Sequence, residues 1–228
     1  MKIGFVVTAH HSDEFRSNGN KLLIRFCNSI FEHVNYEFEI IIVNNGSTKP
    51  ITIPSENSHC INIEDQTQHG ITGAWNQGID KAFDIGCDVV FNCNDDLWFN
   101  DTINNMIEFI ITDSNENCVY SALTNGMLSG PQKAQGVGKG HFELACRHGN
   151  GVIAGFFFGF TKDHYEKFKF EDDKYFNKDN KDNGGDGKWG GQEGQFVENS
   201  EHGLFGKVLR ECFIHHDKIR GWKQLIKK

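Results

Sequence analysis

Two adjacent carboxylates, Asp95 and Asp96, lie in the stretch FNCNDDLWFN at residues 91–100. They follow a mainly apolar run at residues 88–92. That run is β-branched and aromatic, which predicts a strand buried on both faces, with the carboxylates at its end. Carboxylate oxygens suit Mg²⁺ and Mn²⁺, ions that commonly bridge one or two carboxylates to substrate phosphates. A plain turn is the alternative, because Asn and Asp favour turns for local hydrogen-bonding reasons. The three residues Asn94, Asp95 and Asp96 alone are therefore consistent with a cation site and with a turn.

A second polar cluster, NNGST at residues 44–48, follows the apolar run 38–44. Gly46 permits a tight turn, and Asn44 or Asn45 can present an amide to the edge of a planar base. A simple strand-to-loop turn explains the same residues.

A later carboxylate, Glu193, lies in the Gly-rich stretch WGGQEGQF at residues 189–196, beside a polar tract. A carboxylate that a loop carries into a dry pocket is a candidate general base, because desolvation raises its pKa toward the working range. An exposed Glu in the first turn of a helix is the alternative.

Two histidines, His215 and His216, end the short apolar run CFIHHDK. Alternation along a strand points their imidazoles to opposite faces, so at most one is expected to enter a shared site. A structural or surface histidine pair is the other interpretation.

The elements that must position these residues alternate between strand and helix. Strands are predicted at 2–8, 38–44, 59–63, 88–92, 118–124 and 151–160, and helices where apolar residues recur from Leu22 to Val34, from about Thr72 to Phe83 and from Ile103 to Ile111. Strand–helix–strand order implies right-handed parallel crossovers. We expect an α/β fold, an open and mostly parallel sheet flanked by helices, with its ligand at the carboxyl ends of the strands.

Composition limits the partners. The net charge of −8, with no long run of Lys or Arg, argues against nucleic acid or an anionic membrane as the main partner. No stretch reaches the roughly 18 uninterrupted apolar residues of a transmembrane span, so we expect no transmembrane segment and a cytoplasmic location. The seven cysteines are scattered without a C-x-x-C pair, which is typical of free thiols in a reducing compartment.

Taken in order, the motifs resemble those of GT-A-fold glycosyltransferases of the large family 2-like group. The resemblance rests on VVTAHH, IIIVNNGST, GITGAWNQGIDKAFDIGCDVVFNCNDDLWF and GFFFGFTKDHYEKF, and it covers most of the chain. WGGQEGQF is also similar to the W-G-G-E-D-D motif of β-1,4-galactosyltransferases. The resemblance implies one domain over 1–228, with a nucleotide-binding half at 1–100 and a donor-sugar and acceptor half at 101–228.

The same resemblance implies a role for each matching residue. Glu193 would deprotonate the acceptor, Asp96 and His216 would bind Mn²⁺ or Mg²⁺, and His215 would be the fallback ligand. Substrate-binding roles are implied for Thr8, Ala9, His10, Asn44, Asn45, Gly73, Asn76, Asn94, Asp95, Trp189, Gly190 and Gly191. The expected activity is metal-dependent, inverting transfer from a nucleotide-diphosphate donor, a UDP-sugar by family frequency, to a glycan, lipid-linked or protein acceptor.

Four departures from the motifs keep other functions open. Asn94 and Glu193 occupy positions where Asp is usual, Gln192 replaces a Glu, and Trp75 replaces an Arg. A degenerate transferase that binds a sugar or a partner is therefore one alternative. A sugar-phosphate nucleotidyltransferase is another, although TAHHSDEF lacks the Gly-rich, basic loop expected after its first strand.

Overall fold

The computed structural model describes the backbone of most of the chain, namely residues 1–13, 17–52, 58–63, 66–113, 115–125, 132–133, 138–144, 153–170 and 199–217. Its elements follow in the order β1 (Lys2–Ala9), α1 (Gly19–His33), β2 (Glu37–Asn45), β3 (Ser58–Ile63), α2 (Gln66–Asp84), β4 (Val89–Asn94), β5 (Leu97–Trp98), α3 (Ile103–Asp113), β6 (Cys118–Thr124), β7 (His141–Leu144), β8 (Phe157–Thr161), α4 (Lys162–Phe168) and β9 (Phe205–His216).

The strands of these ranges form one mixed sheet in the order β3-β2-β1-β4-β8-β6-β9-β5, with β7 paired to β9. Strands β3, β2, β1 and β4 are mutually parallel. Strand β8 runs antiparallel to both β4 and β6, whereas β9 is parallel to β6. The parallel half therefore brings the carboxyl ends of β1, β2 and β4 to one edge of the sheet.

Helices cover both faces of the sheet, which is why its central strands are apolar throughout. On one face, α1 and α3 bury residues such as Phe26 and Ile107 in a cluster with Phe5 and Phe91. On the other face, α2 packs Trp75 and Ile79 against strand residues, and the α4 side chains join the same cluster. This two-sided burial explains the continuous apolar strands seen in the sequence.

Close packing of α2 on the sheet depends on one glycine. A methyl group built on Gly78 would lie 2.3 Å from Cγ1 of Val6 and 2.8 Å from Cγ2 of Val43. The helix can approach β1 and β2 this closely because position 78 has no side chain.

The structure confirms the predicted α/β fold and its strand–helix order, and it moves several boundaries. Helix α2 begins at Gln66, before the predicted Thr72. Strand β4 continues to Asn94, so the turn is formed by Asp95 and Asp96 alone. The strand predicted from residue 151 begins only at Phe157, because a turn precedes it.

Across the helices that the structure describes, none combines the length and the apolar character needed to cross a bilayer.

Candidate functional site

Three strand ends meet at one edge of the sheet. Ala9, the last residue of β1, pairs with Asn44 of β2, and Thr8 pairs with Asn94 of β4. The loops that follow β1, β2 and β4 therefore leave the sheet side by side. This juxtaposition follows from the parallel register, and it brings the predicted polar residues together.

Asp95 lies in a buried contact with His11, from the loop after β1. Nε2 of His11 is 3.1 Å from Oδ2 of Asp95, and the two residues are 1% and 2% exposed. A carboxylate oxygen can only accept, so in this contact the N–H belongs to Nε2 of His11.

Asp96 meets a second histidine, from the end of β9. Nε2 of His216 is 3.2 Å from Oδ1 of Asp96, and Asp96 is 3% exposed. Register explains the encounter, because Leu97 of β5 pairs with His216. The chain also closes here through a backbone bond, in which the amide of Asp217 donates to the carbonyl of Asp96 at 2.9 Å.

Further contacts fix the orientation of His216. Its backbone amide donates to Oδ1 of Asn125 at 2.8 Å, and its ring stacks on Phe156 with a centroid separation of 5.2 Å. The imidazole is thus positioned by neighbours other than the carboxylate it faces.

His215 has a different environment from its neighbour. Its ring is stacked on the indole of Trp98, 3.5 Å between centroids and 5° from parallel. Phe213 contacts the same ring edge-on. Partial burial lowers the pKa of His215 from its ordinary value of 6.5. The structure thus brings His216, and not the fallback His215, to the acidic turn.

The turn after β2 is organised by its own side chains. Oδ1 of Asn44 accepts a hydrogen bond from the backbone amide of Ser47, three residues on, at 3.0 Å. Nδ1 of His10 lies 3.1 Å from the carbonyl oxygen of Asn45, which itself is 1% exposed. Asn44 therefore shapes the loop that was predicted to face a base.

Three other predicted residues, Thr8, Ala9 and Asn94, lie at the ends of β1 and β4. Oγ1 of Thr8 is buried and, within the described ranges, has no hydrogen-bond partner. Ala9 is fully buried. Asn94 is half-buried, and its backbone amide donates to the carbonyl of Phe156 at 2.9 Å.

The predicted residues of α2 lie inside the helix rather than at its start. Asn76 is 3% exposed, and its Nδ2 donates to the carbonyl of Phe170 at 2.6 Å. Gly73 is buried. Trp75, at the position where an Arg was expected, is 1% exposed and packs edge-on against Phe158 and Phe170. At position 75 the departure from the motif is a packing substitution.

The remaining predicted residues, Trp189, Gly190, Gly191 and Glu193, lie outside the described residues, and so does Gln192.

The acidic turn suits a cation by the chemistry of its donor set. Two buried carboxylates on adjacent residues repel each other, and burial makes an uncompensated charge costly. A carboxylate oxygen of Asp96 and an imidazole nitrogen of His216 together fit a first-row divalent ion such as Mn²⁺. Within the described part of the chain, no cluster of three or more such side chains is arranged to hold a metal. Substrate oxygens and water would have to complete the coordination of an ion at Asp96 and His216.

Sequence reasoning missed several residues of this edge. His11 was overlooked beside His10, and its buried position becomes evident only from the packing of α1. The short strand β5, which brings Trp98 to β9, has too few residues to show a period. Arg25 of α1 forms an ion pair with Asp217, a contact between distant parts of the chain that no local motif could reveal.

Comparisons with known proteins agree with this geometry. The family model described as "Glycosyl transferase family 2" matches residues 15–169. Among curated protein sequences, none matches this chain.

Several solved structures share the fold. Residues 1–349 of S. aureus TarS match with a TM-score of 0.62 and 14% identity, covering 99% of this chain and 63% of that chain. The same protein in complex with UDP-GlcNAc matches with 0.62 and 13%, covering 96% and 59%. GalNAc-T7 with UDP, GalNAc and Mn²⁺ matches with 0.68 and 13%, covering 97% and 45%. This chain therefore spans less than two thirds of each of these proteins.

The mixed, mostly parallel sheet flanked by helices has the fold of a GT-A glycosyltransferase domain. The chain belongs to glycosyl transferase family 2. The family match ends at residue 169, so it contains Asp95 and Asp96 and does not reach Glu193 or His216.

Proposed function

We propose that this protein is a metal-dependent, inverting glycosyltransferase that moves a sugar from a UDP-sugar to an acceptor hydroxyl. One observation carries the proposal: an oxygen of Asp96 and a nitrogen of His216 lie 3.2 Å apart at the edge where the parallel strands end. Ligands of open α/β sheets bind in the crevice outside the carboxyl ends of the strands. The solved structures of TarS with UDP-GlcNAc and of GalNAc-T7 with UDP and Mn²⁺ support the choice of donor and ion.

In this proposal Asp96 and His216 hold the cation, which is Mn²⁺ or Mg²⁺. The mixed oxygen and nitrogen donors favour Mn²⁺, because Mg²⁺ takes mainly oxygen ligands. When bound, the ion would offset the negative charge on the leaving diphosphate. Asp95 is the helper carboxylate beside Asp96, and its contact with His11 holds it in position.

The donor's nucleotide is assigned to the half of the chain at residues 1–100. Thr8 lies near the end of β1 and His10 directly follows that strand, beside the turn of Asn44 and Asn45. Asn94 ends β4 across from Thr8. Hydroxyl and amide groups of this kind can bind a ribose and the edge of a base. Asn94 replaces the usual acid here, and a neutral amide would leave Asp96 as the main carboxylate ligand.

The acceptor is assigned to residues 101–228. We propose that Glu193, presented by the segment of Trp189, Gly190 and Gly191, takes the proton of the acceptor hydroxyl as its oxygen attacks the anomeric carbon. A single base with direct attack inverts that carbon. These assignments rest on the sequence and on its likeness to the β-1,4-galactosyltransferase motif.

A screen of nucleotide sugars for Mn²⁺-dependent hydrolysis tests the proposal. The wild-type protein should release UDP from at least one UDP-sugar, and Asp96→Asn should lower that rate by about 100-fold or more. Asp101→Asn is a matched control, since the side chain of Asp101 is 89% exposed and pairs with His33. Equal rates for Asp96→Asn and wild type would remove Asp96 from the site. No hydrolysis and no nucleotide binding would instead indicate a degenerate, partner-binding member of the family.

A further inference from the structure

The backbone of His11 forms three hydrogen bonds with the loop after β2. Its backbone amide donates to Oγ of Ser47 at 2.9 Å. Its carbonyl accepts from the amides of Thr48 and Lys49 at 3.0 and 3.1 Å. His11 thereby joins the loop after β1 to the loop after β2.

The ring of His11 rests on the first turn of α1. A methyl group built on Gly19 would lie 2.2 Å from Cδ2 of His11 and 2.4 Å from its Cγ. Contacts this short exclude any side chain at position 19, so the glycine leaves the space that the imidazole fills. The imidazole lies in that space, and its Nε2 contacts Oδ2 of Asp95.

These contacts give His11 a single orientation at the junction of β1, β2, β4 and α1. Such an arrangement can fix the carboxylate of Asp95, which is adjacent to the proposed ion ligand Asp96. Groups that orient a metal-binding side chain by hydrogen bonding typically change metal affinity by about 10–100-fold when they are removed.

We propose that His11 is a positioning residue for the acidic turn, an inference that rests on the proposed function. By donating its Nε2–H to one oxygen of Asp95, it holds that carboxylate in place. Since Asp96 follows directly, the same bond fixes the turn that presents Asp96 to His216. His11 itself contacts neither the nucleotide nor the ion.

A packing role alone would require only the shape of the ring, and the choice of variants separates the two roles. His11→Leu fills the site with an apolar side chain of similar size and removes the N–H donor. His11→Gln keeps an N–H that can reach the place of Nε2. His11→Asn keeps an amide that is one methylene shorter, so it serves as the second non-donating variant if the Leu protein does not fold.

The experiment is a calorimetric titration of UDP at a series of Mn²⁺ concentrations, with thermal unfolding measured for every variant. His33→Gln is the matched control, because it makes the same substitution at another His–Asp contact, 2.8 Å from Asp101, at the end of α1. For His11→Leu and His11→Asn we expect the Mn²⁺ concentration that half-saturates UDP binding to rise by about 10–100-fold. For His11→Gln and His33→Gln we expect it to stay within about twofold of wild type.

Two results would overturn the inference and leave the proposed function intact. In one, His11→Leu and His11→Asn bind UDP with the Mn²⁺ dependence of wild type. In the other, His11→Gln loses as much as His11→Leu, which would make the ring's shape decisive. Wild-type protein that binds UDP without any dependence on Mn²⁺ would overturn the proposed metal site, and this inference with it.

Discussion

The imidazole of His216 lies 3.2 Å from a carboxylate oxygen of Asp96, and strand pairing places it there. The acidic turn belongs to the parallel half of the sheet, and the histidine ends a strand near the opposite edge of it. The two-residue strand β5 connects them, because it begins directly after Asp96 and pairs antiparallel with the end of β9. A motif from the first half of the chain is thus completed by the second half.

His215 and His216 are neighbours with different contacts, and their replacement should have different effects. We expect His216→Ala to raise the Mn²⁺ requirement of UDP binding by about 10-fold or more, because the proposed ligand is lost. His215→Ala should leave that requirement unchanged and cost about 1 kcal/mol of stability, because the stack on Trp98 is lost. Metal titrations and urea unfolding of both variants measure these effects. If His215→Ala, and not His216→Ala, raised the Mn²⁺ requirement, His215 would be the ligand.

His164 predicts a pH dependence of stability. It is 3% exposed, and its ring is stacked on Phe160 and in contact with Phe168. Burial lowers the pKa of His164 from 6.5 to about 3, against two backbone hydrogen bonds that raise it. Between these values the unfolded chain binds a proton that the folded chain does not. The contribution of neutral, buried His164 to stability is therefore complete above about pH 6.5 and is lost as the pH falls toward 3.

The effect of His164 can be isolated by a variant that does not titrate. Between pH 6 and pH 4, the free energy of unfolding of wild type should fall more steeply than that of His164→Gln, by about 1.4 kcal/mol per pH unit. Urea unfolding at several pH values gives both slopes. Parallel slopes would show that His164 is protonated in the folded protein.

Lys207 and Asp113 form an ion pair away from the site. Nζ of Lys207 is 2.7 Å from Oδ1 of Asp113, and the side chains are 8% and 21% exposed. Tyr120 donates its hydroxyl to the same carboxylate at 2.6 Å. Burial would raise the pKa of Asp113, but hydrogen bonds from Lys207 and Tyr120 hold it below its ordinary value.

Removing one partner of this pair should cost more than removing both. We expect Lys207→Met to destabilise the protein by about 2 kcal/mol, because the carboxylate remains partly buried without its cation. Adding Asp113→Asn should restore part of that loss, since no uncompensated charge is then left. Urea unfolding of the single and double variants measures the difference. A double variant less stable than Lys207→Met would contradict this account.

Much of the parallel half of the sheet could be predicted from the sequence. Strands buried on both faces produce continuous apolar runs, and the helix over residues 22–34 shows a clear period, so β1, α1, β2 and β4 were found. The acidic turn was found for the same reason, because Asp95 and Asp96 directly follow such a run. These features are local, and local patterns are what a single sequence records.

The rest depends on contacts between distant segments. Strand β5 is too short for a period, and α4 has only 7 residues, about two turns, in which to show a helical pattern. Asn76 matches a motif, yet the structure directs its amide to the carbonyl of Phe170. The role of His11 depends on the glycine at position 19, whose packing partner no spacing rule identifies.

The central claim is that the ion and the nucleotide meet at Asp96 and His216, and anomalous scattering tests it most directly. A crystal of the protein grown with UDP and MnCl₂ should show one strong anomalous peak within bonding distance of a carboxylate oxygen of Asp96 and of Nε2 of His216. Density for the diphosphate should adjoin that peak. Bound UDP with no anomalous peak at this turn, or a peak at other side chains, would contradict the account.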